Sequence, residues 1–351
     1  MTTVSETIRA VDSQFPRDIP LQTECFRGSR LPLVVQYQGG SDVFSVSSFI
    51  KECIAEPLSR HGGVLFRGFS ITSLVEFEQF VRQVTPDLLD YDFGSTPRSH
   101  LSNKIYTSTE YPAHQQIPLH NEQAYTVEWP MKIWFCCATA ARQGGETPIA
   151  DSRQVFSRIP RKVREKFTEK RLMYVRNYGN GLDVPWQKVF NTTDRSVVEA
   201  YCQRARITCE WKADGELRTS QVCQAVAVHP QTGDSVWFNQ AHLFHVSSLE
   251  PHVLEALRIA VDEKDFPRNV YYGDGTSIDV DELNAIREVY REQTIQFPWE
   301  EGDVLLLDNM LAAHGRTPYY GERKVLVAMA EPYGEATRRS NFDTQTRAQR
   351  F

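Results

Sequence analysis

Two histidines and one glutamate stand where their residue types and spacing could do chemistry. In Pro118-Leu119-His120-Asn121-Glu122, side chains two apart on an extended segment share a face, so the His120 imidazole and the Glu122 carboxylate can converge on one ion. A His-x-Glu triplet alone is more often a pair of solvated polar residues, and a third ligand is required. Among nine histidines, His314 is the candidate: Val304 to Leu307 reads as a buried strand ended by an Asp308-Asn309 turn, and Ala312-Ala313-His314-Gly315-Arg316 then sets a histidine beside a glycine. Two imidazoles and a carboxylate form the facial set that holds non-haem Fe(II) and leaves positions open for a co-substrate and O₂.

Such a centre calls for an anion-binding group nearby. Arg323 opens the apolar strand Lys324-Val325-Leu326-Val327, expected beside the strand that precedes His314, and a guanidinium there can grip a carboxylate with two parallel bonds. A single arginine at that place would otherwise read as a surface residue at a turn. Arg316, two residues from His314, is held in reserve for the same role.

The elements that must position these groups are mostly strands. Lys132 to Ala138, Val222 to Val228, Ser235 to Phe238, Val304 to Leu307 and Lys324 to Ala330 are β-rich runs separated by turns such as Pro230-Gln231-Thr232-Gly233, and Gly63 to Phe69 is a further short strand between glycines. Ser73-Leu74-Val75-Glu76 is a capping box opening a helix with Phe77, Phe80, Val81 and Val84 on its core face. Pro251 precedes Val253, Leu254, Leu257 and Val261, and Leu283, Ile286 and Tyr290 repeat at helical spacing after Asp279 and Asp281. A mainly β core with peripheral helices suits a double-sheet jelly roll rather than alternating β and α units. Absence of repeats and linkers leads to the expectation of one domain over 1–351 with helical insertions at roughly 155–220 and 248–295.

Composition narrows the function classes. The 351 residues are 41% hydrophobic with a net charge of −6, which opposes a broad nucleic-acid or anionic-membrane surface. The tail Arg338, Arg339, Arg347, Arg350 is the visible basic cluster and reads as solvated. No run reaches the ~20 apolar residues of a membrane span, and Glu6, Arg9, Asp12, Arg17 and Asp18 stand where a signal peptide needs an apolar core, so a cytoplasmic protein is expected. Seven cysteines without a CxxC pair argue against a disulfide framework and a zinc ribbon. Cys136 and Cys137, inside an apolar run, are expected as buried packing.

Taken in order, Gly63-Val64-Leu65-Phe66-Arg67-Gly68-Phe69, Ser108-Thr109-Glu110-Tyr111-Pro112 leading to Ile117-Pro118-Leu119-His120-Asn121-Glu122, Gly144-Gly145-Glu146-Thr147-Pro148, and His314-Gly315-Arg316 with Arg323 resemble the clavaminate synthase-like, or TauD/TfdA, group of Fe(II)- and 2-oxoglutarate-dependent dioxygenases over most of the chain. The stretches His229 to Gly233, Trp237 to Gln240 and Tyr272 to Thr276 resemble the branch containing the amino-acid hydroxylase of syringomycin biosynthesis. The resemblance implies a double-stranded β-helix of the jelly-roll, cupin-like kind, iron held by His120, Glu122 and His314, a hydrogen bond from Thr147 to 2-oxoglutarate, and Arg323 paired with the carboxylate remote from the metal. Fe(II), 2-oxoglutarate and O₂ are then the expected cofactor and co-substrates.

The implied reaction couples decarboxylation of 2-oxoglutarate to hydroxylation of an unactivated C–H of an amino acid or amino-acid-derived substrate, free or tethered to a carrier protein, in specialised metabolism. Desaturation or epoxidation is the alternative within the family, and a metal-binding sensor the alternative outside catalysis. A carboxylate at Glu122 argues against a halogenase, since halide needs that coordination position. A non-oxidative cupin-like metalloenzyme has no use for Thr147 and Arg323. One departure matters: many relatives carry a second arginine four residues beyond the first, where this chain has Val327. Asn121, Arg176, Asn239 and Arg316 are the candidate substrate contacts, with Arg176-Asn177-Tyr178, Asn239-Gln240 and His242 set among aromatics as in a pocket for a zwitterion; for His242 and His245 a satisfied core histidine is the better reading.

Overall fold

The computed structural model describes residues 20–39, 44–90, 100–102, 104–108, 111–179, 181–212 and 215–334. In chain order its strands are β1 (Leu21–Cys25), β2 (Leu33–Tyr37), β3 (Gly63–Arg67), β4 (His100–Ser102), β5 (Ile105–Thr107), β6 (Ile117–His120), β7 (Glu128–Thr139), β8 (Gln143–Gly144), β9 (Ile149–Asp151) and β10 (Leu172–Tyr178). They continue with β11 (Thr208–Trp211), β12 (Leu217–Cys223), β13 (Val226–Val228), β14 (Ser235–Trp237), β15 (Arg268–Tyr272), β16 (Val304–Asp308), β17 (Ala312–Arg316), β18 (Tyr319–Tyr320) and β19 (Lys324–Gly334).

Eight strands form one sheet in the order β1-β2-β3-β16-β7-β19-β5-β4, and β6-β17-β9 form a second. Alternation along β7 shows how the layers stack. Ile133 and Phe135 join Leu305, Leu307, Val325 and Val327 in a core that also takes in Ile149 of β9 and Ala312 of β17. Trp134 and Cys136 face the other way, into a core with Phe77, Phe80, Val81 and Val84 of the helix Leu74–Val84. Buried on both faces, β7 reads as a continuous apolar run. The capping box is present, with the Ser73 hydroxyl accepting from the Glu76 amide and the Glu76 carboxylate accepting from the Ser73 amide.

A third core lies behind the small sheet. Leu119 and Ala313 point into it together with Tyr174, Val270 and Phe244, so their neighbours His120 and His314 point the opposite way, into the gap between the two sheets.

Four expectations are corrected. The strand opened by Arg323 does not lie beside the one before His314: β7 pairs with both β16 and β19 and separates them, because the chain crosses to the small sheet through β17 before returning. The segments expected as helical insertions also carry β10, β11, β12 and β15, which form a four-stranded sheet in the order β11-β12-β10-β15. The run Val222 to Val228 is broken after Cys223, where the Gln224 amide turns away to donate to the carbonyls of Ala124 and Thr126. The helix Pro251–Ala260 forms, yet none of its residues is buried, and Val253 and Ile259 face solvent. The helix Val280–Gln293 behaves as expected, with Asp279 at its N-cap and Leu283, Ile286 and Tyr290 buried.

Thr109 and Glu110 and the terminal arginines Arg338, Arg339, Arg347 and Arg350 lie outside the described residues. Among the described residues no helix is long and apolar enough to cross a membrane.

Candidate metal centre

His120 ends β6 and His314 lies opposite it on β17 as its register partner, which brings their rings to 4.6 Å between centroids. Gly315 permits this approach: a Cβ there would stand 2.6 Å from the Ile117 carbonyl oxygen of β6. Ligand atoms of His120, Glu122 and His314 all lie within 4.8 Å of one another, the one group of its kind among the described residues. The His120 Nδ1–H donates to the Pro118 carbonyl at 2.8 Å; a carbonyl can only accept, so Nδ1 carries the proton and Nε2 keeps its lone pair for a metal. Phe135 of β7 packs on the His314 ring at 5.0 Å.

Glu122 reaches the cluster by a route different from the one expected. β6 stops at His120, and Glu122 sits on the following turn. Asn309 fixes that turn: its Oδ1 accepts from the Glu122 amide at 2.7 Å, and its Nδ2 donates to the Glu122 and Pro130 carbonyls. Asn309 stands just past β16, in a turn held by the Asp308 carboxylate, which accepts from the amides of Met310 and Leu311 and from His229 Nε2.

The cavity beside the histidines is lined by Ser108, Ile117, Phe135, Thr147, Arg323 and Val327, with Arg316 and Val325 also on its wall. Thr147 is buried, and its hydroxyl oxygen accepts from the Trp299 indole N–H at 3.1 Å, leaving its proton to donate elsewhere. The Arg323 Nε donates to the Gly145 carbonyl at 2.8 Å and Nη1 lies 3.3 Å from the Ser108 hydroxyl, while Nη2 has no partner among the described residues. Gly145 has φ +75° and a Cβ there would meet the Arg323 side chain at 2.9 Å, so the Gly144-Gly145 turn both frees space for the guanidinium and anchors it. Burial, then repulsion from Arg316, lowers the Arg323 pKa to about 10. Such a desolvated cation is stabilised by an incoming anion.

The residues expected at the substrate fare differently. Arg316 lines the cavity, but its Nη1 and Nη2 are engaged by the carbonyls of Tyr111, Pro112 and Gln115, so it fastens that loop. Asn121 turns away from the cavity and donates to the Ser152 hydroxyl and the Asn309 carbonyl. Asn239 donates to the Ala225 carbonyl and accepts from the Ala241 amide. Asn239 is thereby spent on backbone geometry, and the Asn121 nitrogen is spent away from the cavity, while its buried Oδ1 has no hydrogen-bond partner among the described residues. Arg176 lies on β10, where its guanidinium sits over the Tyr178 ring, and it is not among the cavity-lining residues.

His242 Nε2 donates to the Leu119 carbonyl, and burial lowers its pKa to about 3; His245 accepts from the Ser247 amide and burial brings it to about 4. Both are neutral core histidines. All seven cysteines are free, and burial raises the Cys137 thiol to about 12, which keeps it protonated and inert. Sequence reasoning did not name Trp299, and it took Ser108 as part of a motif and Asn309 as part of a turn without giving either a contact. A polar residue ending an otherwise apolar run, as Asn309 does after Val304 to Leu307, was the available signal.

Residues 32–329 match the family described as taurine catabolism dioxygenase TauD, TfdA family. Over 292 residues the chain is 42% identical to the dapdiamide synthesis protein DdaC of Enterobacter agglomerans, covering 83% of this chain and 89% of that protein. It is 31% identical over 285 residues to a clavaminate synthase-like protein of Arabidopsis thaliana, covering 78% and 83%. Among solved structures, PvcB of Pseudomonas aeruginosa superposes with a TM-score of 0.53 at 14% identity, over 90% of this chain and 92% of that one. A second structure of PvcB, described as an Fe, alpha-ketoglutarate dependent oxygenase from an isonitrile synthetic pathway, gives 0.52 at 14% identity over 90% and 93%. The shared fold is the jelly roll.

Proposed function

The chain belongs to the TauD/TfdA family and is an Fe(II)- and 2-oxoglutarate-dependent dioxygenase, and on that premise we propose that it hydroxylates an unactivated C–H of an amino acid or amino-acid-derived substrate, with His120, Glu122 and His314 holding the iron and Thr147 and Arg323 holding 2-oxoglutarate. The observation that carries these roles is the shared cavity: the two imidazoles, the Thr147 hydroxyl and the Arg323 guanidinium all face it, and Glu122 joins the imidazoles at one point. When bound, Fe(II) with O₂ and 2-oxoglutarate supplies the oxidation, in which the co-substrate becomes succinate and CO₂ and a hydroxyl replaces a substrate hydrogen.

The protein's own residues do the rest. Pro118 sets the His120 tautomer, and Asn309 sets the Glu122 backbone. Arg323, held at Nε by Gly145, turns its remaining edge to a carboxylate, and Thr147 adds a hydroxyl proton. Phe135, Val325 and Val327 make the wall apolar, which excludes water and strengthens the ionic contacts.

Similarity to a protein named for dapdiamide synthesis supports a place in specialised metabolism, with the substrate either free or on a carrier protein. The test is succinate release with Fe(II) and 2-oxoglutarate, screened over amino acids and aminoacylated carrier proteins, with mass spectrometry of the product. A gain of one oxygen is expected. Succinate release that no amino-acid substrate raises above the substrate-free level overturns the reading.

A further inference from the structure

The motif Tyr272 to Thr276 takes no part in the metal centre, and its contacts lead to a second cavity. The Gly273 amide donates to the carbonyls of Lys170 and Arg171 at 3.0 and 3.1 Å, and a Cβ at Gly273 would stand 2.4 Å from the Lys170 carbonyl oxygen, so this corner requires glycine. Asp274 takes the Lys170 ammonium at 2.6 Å. Arg171, the next residue, makes no ion pair among the described residues, and its Nη2 reaches across to the Val222 carbonyl of β12 at 3.4 Å instead.

Arg171 ends the helix Arg161–Lys170 at φ +58° and ψ −168°, a region that is essentially glycine's. Arg206 ends the helix Arg195–Ala205 in the left-handed conformation, at φ +57° and ψ +39°, where glycine or asparagine is usual. Both corners are fixed from the sheet: Gly273 holds the first, and the Gln221 side chain of β12 donates to the Ala205 carbonyl beside the second at 2.6 Å. A cation near a helix C-terminus is ordinarily explained by the helix dipole. That account requires neither arginine in a left-handed conformation nor the Arg171 guanidinium out over β12.

The two side chains line one cavity of about 330 Å³, at the small end of ligand pockets, which run from about 300 to 1,000 Å³. Its floor is the outer face of the four-stranded sheet. Met173 and Val222 are cross-strand partners, and Ser220, two residues before Val222, pairs with Thr208, so all four point to one side. Arg171 and Arg206 lie two residues before Met173 and Thr208 and join them on the cavity wall. Tyr174 faces the core that Leu119 enters, so this side of the sheet is turned away from the metal centre. No carboxylate is among the lining residues, in a chain of net charge −6.

We propose that this cavity binds a small phosphate monoester: the Arg171 and Arg206 guanidiniums and the Thr208 and Ser220 hydroxyls take its oxyanion, and its apolar body lies on Met173 and Val222. Two guanidiniums and two hydroxyls suit the three terminal oxygens and double charge of a phosphate better than the two oxygens and single charge of a carboxylate. The site is independent of the reaction proposed above.

The experiment titrates phenyl phosphate calorimetrically into the full chain without metal, alongside inorganic phosphate. Wild type should bind phenyl phosphate with a Kd of about 1 mM or tighter, and inorganic phosphate, which lacks an apolar body, roughly tenfold more weakly. Arg171→Gln and Arg206→Gln should each weaken phenyl phosphate binding about tenfold or more, the range of a lost charge-assisted contact. Arg206→Gly should weaken it equally while matching or exceeding the wild-type urea midpoint, because glycine adopts that backbone without strain; the loss then reflects the missing side chain and not misfolding. Arg323→Ala should bind phenyl phosphate as wild type does, which sets the site apart from the metal cavity. A wild type without saturable binding, full affinity in either glutamine variant, or a loss in Arg323→Ala overturns the inference, and inorganic phosphate binding as tightly as phenyl phosphate overturns the ligand class.

Discussion

The side chain of Asn309 closes a ring with the backbone of Glu122, accepting from its amide at 2.7 Å and donating to its carbonyl at 2.9 Å. The two residues are 187 positions apart, and the ring ties the turn carrying the acidic ligand to the turn that leads into β17 and His314. Glu122 and His314 are thereby referred to one junction, and His120 joins them as the register partner of His314.

Asn309→Ala should therefore weaken Fe(II) binding by roughly 10- to 100-fold, the range for outer contacts that orient metal ligands. Asn309→Asp keeps the acceptor for the Glu122 amide but loses both donations and should fall between. Titration of the apoprotein with Fe(II) under anaerobic conditions measures this. Full affinity in Asn309→Ala would show that Glu122 is held in place by other means or is not a ligand.

His120→Ala and His314→Ala should each abolish Fe(II) binding and succinate formation while the far-ultraviolet spectrum stays native. Their stability costs should differ. His314 is buried against Phe135, whereas His120 is half-buried, so His314→Ala should lose about 1–3 kcal/mol and His120→Ala less. Denaturant midpoints compare the two; a His120→Ala protein that still binds Fe(II) at the wild-type level removes it from the ligand set.

Legibility in the sequence followed the range of the interactions. The helix Leu74–Val84 and its capping box were readable because cap and apolar face lie within a dozen residues. His120, Glu122 and His314 stood out by chemical type. Strand order was not readable: β7 separates β16 from β19 through pairings that no local pattern encodes. β12 was hidden for another reason, since its inward positions include Thr219 and Gln221, polar residues that erase the apolar alternation. Asn121, one residue from two candidate ligands, looked functional although its amide nitrogen is bound to Ser152 and Asn309.

Acid should destabilise the protein below about pH 6.5, where free histidine gains its proton. His61, His242 and His245 are held neutral by burial, His242 at about 3 and His245 at about 4. Between those values and 6.5 the unfolded chain binds more protons than the folded one, so stability rises with pH in that window and is lost as pH falls. Each such histidine contributes up to about 1.4 kcal/mol per pH unit. Urea midpoints from pH 7.5 to 5 should show this slope, and His245→Gln should reduce it by one proton's worth; an identical slope in the variant removes His245 from the account.

The structure separates the two arginines near His314. Arg316 spends both terminal nitrogens on the carbonyls of Tyr111, Pro112 and Gln115, whereas Arg323 is fastened at Nε, with Nη1 near Ser108 and Nη2 left for a ligand. Truncating a buried partner of an anion typically costs ~3 to 5 kcal/mol, which is two to three orders of magnitude or more in affinity at about 1.4 kcal/mol per tenfold. Arg323→Ala should raise the KM for 2-oxoglutarate by at least about 100-fold while Fe(II) still binds, because none of its proposed ligands has changed. Arg316→Ala removes hydrogen bonds worth about 1 kcal/mol each and should lower the unfolding midpoint with a much smaller effect on that KM. Steady-state titration of 2-oxoglutarate in both variants decides between them: an unchanged KM in Arg323→Ala with a large rise in Arg316→Ala would reverse the assignment and make the loop from Tyr111 to Gln115 part of the co-substrate site.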